Sequence, residues 1–156
     1  MNLVDRALKV IRTKEFISMA TADKEGNPNS APKLLLKIEG HIAYFVDYTI
    51  GRTSQNLRLN PRISMSFIDL NTFSGYVLNG KAEIIESGQI YEECLKDLQE
   101  REIKLSVERV IEAVRSDDAS KVFELGIPEK FLVYKVTIEE GVEIAPSGEL
   151  KRESLQ

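Results

Sequence analysis

The apolar positions of this chain change period twice. Over residues 2–13, Leu3, Val4, Ala7, Leu8 and Ile11 recur at helical spacing, and Asn2 stands where a side chain can cap the first free amides. From residue 16 the pattern becomes one of short strands. Residues 16–22 (FISMATA) are β-branched and apolar, and 23–28 (DKEGNP) carry the Gly, Asn and Pro of a turn. Residues 30–38 (SAPKLLLKI) alternate, with Leu34, Leu36 and Ile38 on one face and Lys33, Leu35 and Lys37 on the other. Glu39-Gly40 turns the chain into 41–46 (HIAYFV), and a loop leads to a short helix over Thr53–Leu59. Residues 62–69 (RISMSFID) and 76–85 (YVLNGKAEII) read as two more strands, and Gly80 inside the second predicts a bulge or a close backbone approach.

From about residue 89 to 125 the period is helical again and charge density rises. Ile90, Cys94, Leu95 and Leu98 mark one helix, and Val107, Val110, Ile111 and Val114 a second. A short third helix is expected to end at Gly126 and Pro128, with Asp117 and Asp118 as its caps. Residues 130–144 (KFLVYKVTIEEGVEI) return to strand, and the polar tail 146–156 is expected to be loose. These elements predict a mainly β, α+β fold. It is a six-stranded antiparallel barrel, closed or nearly so, with an N-terminal helix and a helical insert (about 89–125) before the last strand. One domain over 1–145 is expected.

Composition narrows the partners. A chain of 156 residues buries roughly 70% of the surface it exposes when unfolded, enough for a real core. The net charge of −4 argues against a nucleic-acid partner. A single cysteine forms no internal disulfide, and lone His41 and lone Cys94 make no metal cluster. No apolar run approaches the roughly 20 residues that span a bilayer. The first residues also lack the apolar core of a signal peptide. The expectation is a cytoplasmic protein with no membrane, nucleic-acid or metal partner.

One stretch carries candidate chemistry. Residues 51–61 (GRTSQNLRLNP) place a glycine, a guanidinium and two hydroxyls at the start of the short helix. A helix start offers free amides and partial positive charge, both suited to a phosphate. Arg52 can donate two parallel hydrogen bonds to it, and Gly51 allows close approach. On the residues alone a plainer account is open, in which Thr53 or Ser54 is an N-cap and Arg52 is solvated. Lys33 and Lys37 share a face with Leu35; that face is either solvent-facing or a cationic, apolar floor for a flat ring. His41, beside a hairpin turn, reads as a surface residue, and Cys94 as a core residue. No nucleophile with a base and an orienting group can be assembled, so no catalytic residue is assigned.

Taken in order, residues 16–86 resemble the FMN-binding split barrel of the pyridoxamine 5'-phosphate oxidase-like superfamily. MATADKEGNPNSAPKLLLK is similar to its first two strands with their DxxGxP turn. HIAYFVDYTIGRTSQNLRLNPRISMSF resembles its third strand, phosphate loop and fourth strand, and GYVLNGKAEII its fifth. The resemblance implies FMN bound at the interface of a homodimer, two sites per dimer. By position, Pro32, Lys33, Leu34 and Leu35 would run along the isoalloxazine, with Lys33 near its pyrimidine edge. Lys37 matches the strand-end lysine. Val46 and Asp47 would close the loop near the ribityl chain. Arg52 and Thr53 match the phosphate contacts, with Ser54 beside them, and Asn56 matches a structural loop asparagine. With this resemblance the row at 51–54 reads as a phosphate seat that can also cap.

The chain departs from the authentic oxidase at several positions. Pro32 stands where that enzyme has Arg, Thr53 where it has a second basic residue, and Gly75 where it has Gln; the C-terminal Arg and His for pyridoxal are missing. Oxidation of pyridoxamine phosphate is therefore not expected. The implied function is an FMN-dependent oxidoreductase acting on a small molecule that serves as electron donor or acceptor. The alternatives are a non-catalytic FMN-binding protein for electron transfer or flavin buffering, and a split barrel that binds haem or a deazaflavin.

Overall fold

A computed structural model of the chain describes residues 1–117 and 130–156. They fall into two units, Met1–Glu86 with Phe131–Gln156, and Ser87–Lys130. The first unit contains α1 (Leu3–Ile11), β1 (Phe16–Ala22), β2 (Pro28–Glu39), β3 (Ile42–Asp47), α2 (Arg52–Leu59), β4 (Arg62–Asp69), β5 (Ser74–Ile85), β6 (Leu132–Ile144) and β7 (Leu150–Ser154). The second contains α3 (Gln89–Ser116).

The strands pair antiparallel in the order β3-β2-β1-β4-β5-β6-β7. A further pairing of β3 with β6, from Ile42↔Thr137 to Asp47↔Leu132, closes six of them into a barrel. Closure removes the edges that an open sheet would expose. Every second side chain points inward and is buried, as with Ile17 and Met19 in β1 and Met65 and Phe67 in β4. The alternate positions Ser18, Ser64 and Ser66 lie on the outer face.

β2 is long because it serves two neighbours. It pairs with β1 from Ala22↔Pro28 to Phe16↔Leu34, and with β3 from Leu34↔Val46 to Glu39↔Ile42. Residues 28–33 therefore run past the end of β3, with no strand on that side among the described residues. A bulge interrupts β2 between Leu35 and Lys37, so Leu35 opposes Phe45 while Lys37 opposes Tyr44. This corrects the expected face. Leu36 is the extra residue, and it switches Lys37 to the outer side, away from Lys33 and Leu35. There Lys37 lies 5.2 Å from the Tyr44 ring centroid and pairs with Glu39 at 3.0 Å.

α1 adds its apolar stripe to the barrel core: Val4, Ala7, Leu8 and Ile11 belong to one cluster with the inward strand residues. Asn2 caps it, accepting from the Asp5 amide at 2.7 Å. Arg6 holds the helix to β6 through Glu143 at 2.6 Å, and the Tyr76 hydroxyl donates to the same carboxylate at 3.1 Å. Gly80 meets both expectations for it. It lies at a register shift between β5 and β6, and a Cβ there would sit 2.1 Å from the Thr137 carbonyl oxygen.

Two expectations are corrected. The polar tail is not loose: Gly148, at φ 86°, closes a turn in which Gly148 N–H donates to the Ala145 carbonyl, and β7 then pairs with β6 from Ile144↔Leu150 to Glu140↔Ser154. Arg152 fixes it to Glu140 at 2.6 Å. The two helices expected after residue 89 are one continuous helix of 28 residues, because no Gly or Pro interrupts 89–116. Asp117 is its C-cap, in the left-handed region at φ 53°. Asp118, Gly126, Pro128 and the expected third helix lie outside the described residues. Among those described, no helix is long and apolar enough to cross a membrane.

Gly80→Ala is expected to destabilise the fold by about 3 kcal/mol, since the obstacle is backbone and cannot rotate away; urea denaturation measures it. The Arg6 clamp gives a pH dependence. Hydrogen bonding from Arg6 holds the Glu143 carboxyl below its ordinary value of 4.5. Its contribution is thus fully present above that value and is lost as pH falls through the lowered one. Arg6→Ala should remove this part of the acid sensitivity, costing up to about 1 kcal/mol at neutral pH and nothing in strong acid, as read from urea midpoints across pH 2–7.

Candidate functional site

The chemistry of the barrel gathers where β3 ends. Phe45 and Leu35 are core neighbours, and two residues further along each strand the inward positions are Asp47 and Lys33. Both are buried, at 1% and 5% exposure. Lys33 Nζ donates to Asp47 Oδ1 at 2.8 Å. The Tyr134 hydroxyl, from β6, donates to Asp47 Oδ2 at 2.5 Å. The Thr49 amide completes the set, donating to Oδ1 at 2.9 Å. A buried ion pair is tolerated when such bonds satisfy its remaining lone pairs. Burial, then the hydrogen bond and charge of Asp47, push the Tyr134 phenol far above the ordinary range. It is therefore a neutral donor at any physiological pH.

Four residues beyond Asp47 the chain enters α2. Its N-cap is Gly51, which has no side chain to offer. Neither hydroxyl takes that role, which corrects the capping account. Ser54 Oγ donates to the Gly51 carbonyl at 2.8 Å, and Thr53 Oγ1 accepts from Asn29 Nδ2 at 3.2 Å. The amides of Arg52, Thr53 and Ser54 have no acceptor among the described residues. Thr53 and Ser54 are each 2% exposed, so these are orphan donors at a largely buried helix start. Arg52 beside them is exposed and makes no hydrogen bond or ion pair among the described residues; its charge acts on Asp23 in the neighbouring turn. Asn56 Nδ2 donates to Thr21 Oγ1 at 3.0 Å, tying α2 to β1 as a structural asparagine would.

The predicted site residues divide accordingly. Arg52, Thr53 and Ser54 form the helix start, and Asn29 joins it to the stretch 28–33 of β2 that lacks a β3 partner, where Pro32 is exposed and Leu34, at its end, half-buried. Lys33 and Asp47 are turned into the barrel and bonded to each other. Leu35 is in the core, its amide donating to the Glu15 carbonyl at 2.8 Å. Val46 is buried, and Lys37 is on the outer face with Tyr44. Tyr134 was not among the predicted residues. Its strand, FLVYKV, reads as apolar, and only the pairing of β3 with β6 sets its hydroxyl against Asp47. His41 is exposed at the β2–β3 turn, 3.2 Å from Asp5, at the opposite end of β3 from Asp47.

The comparisons with known proteins agree with this architecture. No protein of curated function matches the chain in sequence. A protein of Clostridium acetobutylicum related to general stress protein 26 of B. subtilis, of the pyridoxinephosphate oxidase family, superimposes with a TM-score of 0.70. The match covers 98% of this chain and 94% of that one, at 19% identity. A haem-binding protein from Mycobacterium smegmatis gives a TM-score of 0.65 at 15% identity, over 99% of this chain and 58% of that one. A pyridoxamine 5'-phosphate oxidase-related, FMN-binding protein from Nostoc punctiforme gives 0.56 at 13% identity, over 98% and 94%. At such identities the likeness is one of fold. The sequence match is to a family: the pattern of pyridoxamine 5'-phosphate oxidase covers residues 3–141, and the chain belongs to that family.

Proposed function

We propose that the chain is an FMN-binding protein acting as a flavin-dependent oxidoreductase on a small molecule, as a homodimer with its flavin sites between the two copies. The observation that carries this reading is the start of α2. Orphan amides at a buried helix start call for an acceptor with several oxygens, and an exposed arginine stands beside them. A phosphomonoester supplies that acceptor. Arg52 would donate to it in parallel, and the Thr53 hydroxyl, which accepts from Asn29, keeps its own proton to give. Backbone groups along residues 28–33 of β2, on the side without a β3 partner, would meet the polar edge of a planar ring. FMN, when bound, supplies the two-electron chemistry itself; the protein holds it, orients it and keeps water out.

The FMN-binding relative from Nostoc punctiforme supports the choice of cofactor. The outer face of the barrel supports the choice of a second copy. Phe16, Ile68, Leu70, Phe73 and Ile144 are exposed there around an open groove of about 810 Å³. Contiguous apolar surface of this kind usually marks an interaction site. Pyridoxamine phosphate is a poor candidate substrate, since Pro32, Thr53 and Gly75 stand where the oxidase pattern has Arg, a basic residue and Gln.

Two other readings each have an observation in their favour. The two titratable groups bonded at the root of the loop are not free for proton transfer: Asp47 has both oxygens engaged, and the Tyr134 phenol stays neutral. That favours electron transfer without proton chemistry by the protein. Steady-state turnover with a reduced nicotinamide would count against it. The Mycobacterium smegmatis relative favours haem, but His41 is bonded to Asp5 at the far end of β3.

Titration with FMN, followed by quenching of flavin fluorescence, is expected to give a Kd of about 1 μM or tighter. Arg52→Ala should weaken it by about 10- to 100-fold, the worth of one or two charge-assisted hydrogen bonds. An unchanged Kd in that variant would move the phosphate elsewhere, and no binding by the natural sequence would remove the flavin reading.

A further inference from the structure

Two charges are taken out of water at the end of β3. For stability alone, such a pair does no better than an apolar replacement of the same size. Its position gives it a second use. Residues 48–51 lead from Asp47 into α2, and Tyr48, Thr49 and Ile50 are all exposed. Hydrogen bonds hold both ends of this loop. At the near end the Thr49 amide donates to Asp47 Oδ1 at 2.9 Å. At the far end the Gly51 carbonyl accepts from Ser54 Oγ at 2.8 Å and from the Gln55 amide at 3.1 Å. The near anchor is only as fixed as the Asp47 carboxylate. That carboxylate is held by Lys33 on the same oxygen and by Tyr134 on the other.

We propose that Lys33 and Asp47 are positioning residues for the start of α2. Lys33 holds the carboxylate, the carboxylate holds the Thr49 amide, and the loop so fixed aims the first-turn amides and Arg52 at their ligand. Lys33 lies on the stretch of β2 that lacks a β3 partner, so the same bond ties that free edge to the root of the loop. Both parts of the site would then be set by one buried contact. The inference rests on the reading of the α2 start as a phosphate seat, but the positioning itself can be measured without a ligand.

Removing one charge would leave the other buried and could unfold the chain, so the test compares two neutral variants of the full protein. In Lys33→Met/Asp47→Asn, the side-chain amide oxygen still accepts from Thr49. In Lys33→Met/Asp47→Leu/Tyr134→Phe, no acceptor remains for the Thr49 amide, and no other donor of the cluster is left unpaired. Amide hydrogen exchange at Thr49 and at Gln55, whose amides are hydrogen-bonded at the two ends of the loop, is measured on the ligand-free proteins, and FMN affinity on the same samples. The first variant, which keeps the acceptor but loses the hold of Lys33 on it, is expected to lose part of the protection at Thr49 and to bind FMN about three- to tenfold more weakly than wild type. The second is expected to lose protection at Thr49 and at Gln55, while the barrel strands keep theirs, and to bind FMN more weakly still, by about tenfold or more. Equal, weak binding by both, with normal exchange, would overturn the proposal and make Lys33 a direct ligand contact. Wild-type exchange in both would also overturn it, leaving the pair a packing feature. Should wild type bind no FMN, the flavin reading falls, and the exchange data alone decide the positioning claim.

Discussion

The pairing of β3 with β6 is the constraint from which the rest of this structure follows. Six residue pairs, Ile42↔Thr137 to Asp47↔Leu132, turn a strip of strands into a closed barrel. Closure fixes which side of each strand faces the core. It also brings the last residue of β3 beside β6, so that an aspartate, a lysine from β2 and a tyrosine from β6 meet in one buried cluster. An isolated sheet could leave Asp47 in water. A closed barrel cannot, and the three hydrogen bonds to its carboxylate are what make that position tenable.

The candidate site is built outward from that cluster. Its polar parts, the first turn of α2 and the stretch of β2 beyond the end of β3, need only to be held in place if, as proposed, the chemistry is that of a bound cofactor. On that proposal the protein itself needs no catalytic acid or base. The charged side chains near the site are engaged with one another, and the exposed one, Arg52, is suited to recognition. The exposed apolar ring around Phe73 and Ile144 has a parallel logic. The barrel satisfies its own backbone, so what its outer face lacks is cover for apolar side chains.

Much of this was legible in the sequence, and the failures have physical causes. The strands at 16–22 and 62–69 have the expected bounds because each is a short apolar run between turn residues. The family was legible from the order of its motifs. The roles of Lys33 and Lys37 were not, because counting by twos assumes an unbroken strand. With Leu36 as an extra residue, the register from the Glu39-Gly40 turn slips by one, and Lys33 comes opposite Asp47 instead of Tyr48. That slip hides the ion pair from any reading of the sequence alone. β7 was missed because one leucine, Leu150, followed by four polar residues shows no core-facing stripe; the signal available was the Pro-Ser-Gly turn before them. The break expected within residues 89–116 had no glycine or proline to make it.

The central claim is that the start of α2 is a phosphate seat. It is tested most directly by comparing the affinity of the protein for FMN with that for riboflavin, which carries the same ring and ribityl chain without the phosphate. The account predicts that riboflavin binds about 100-fold more weakly or worse, the loss of two or more charge-assisted hydrogen bonds. Equal affinity for the two would contradict it, since the ring alone would then carry the binding and the orphan amides of Arg52, Thr53 and Ser54 would have no part in it.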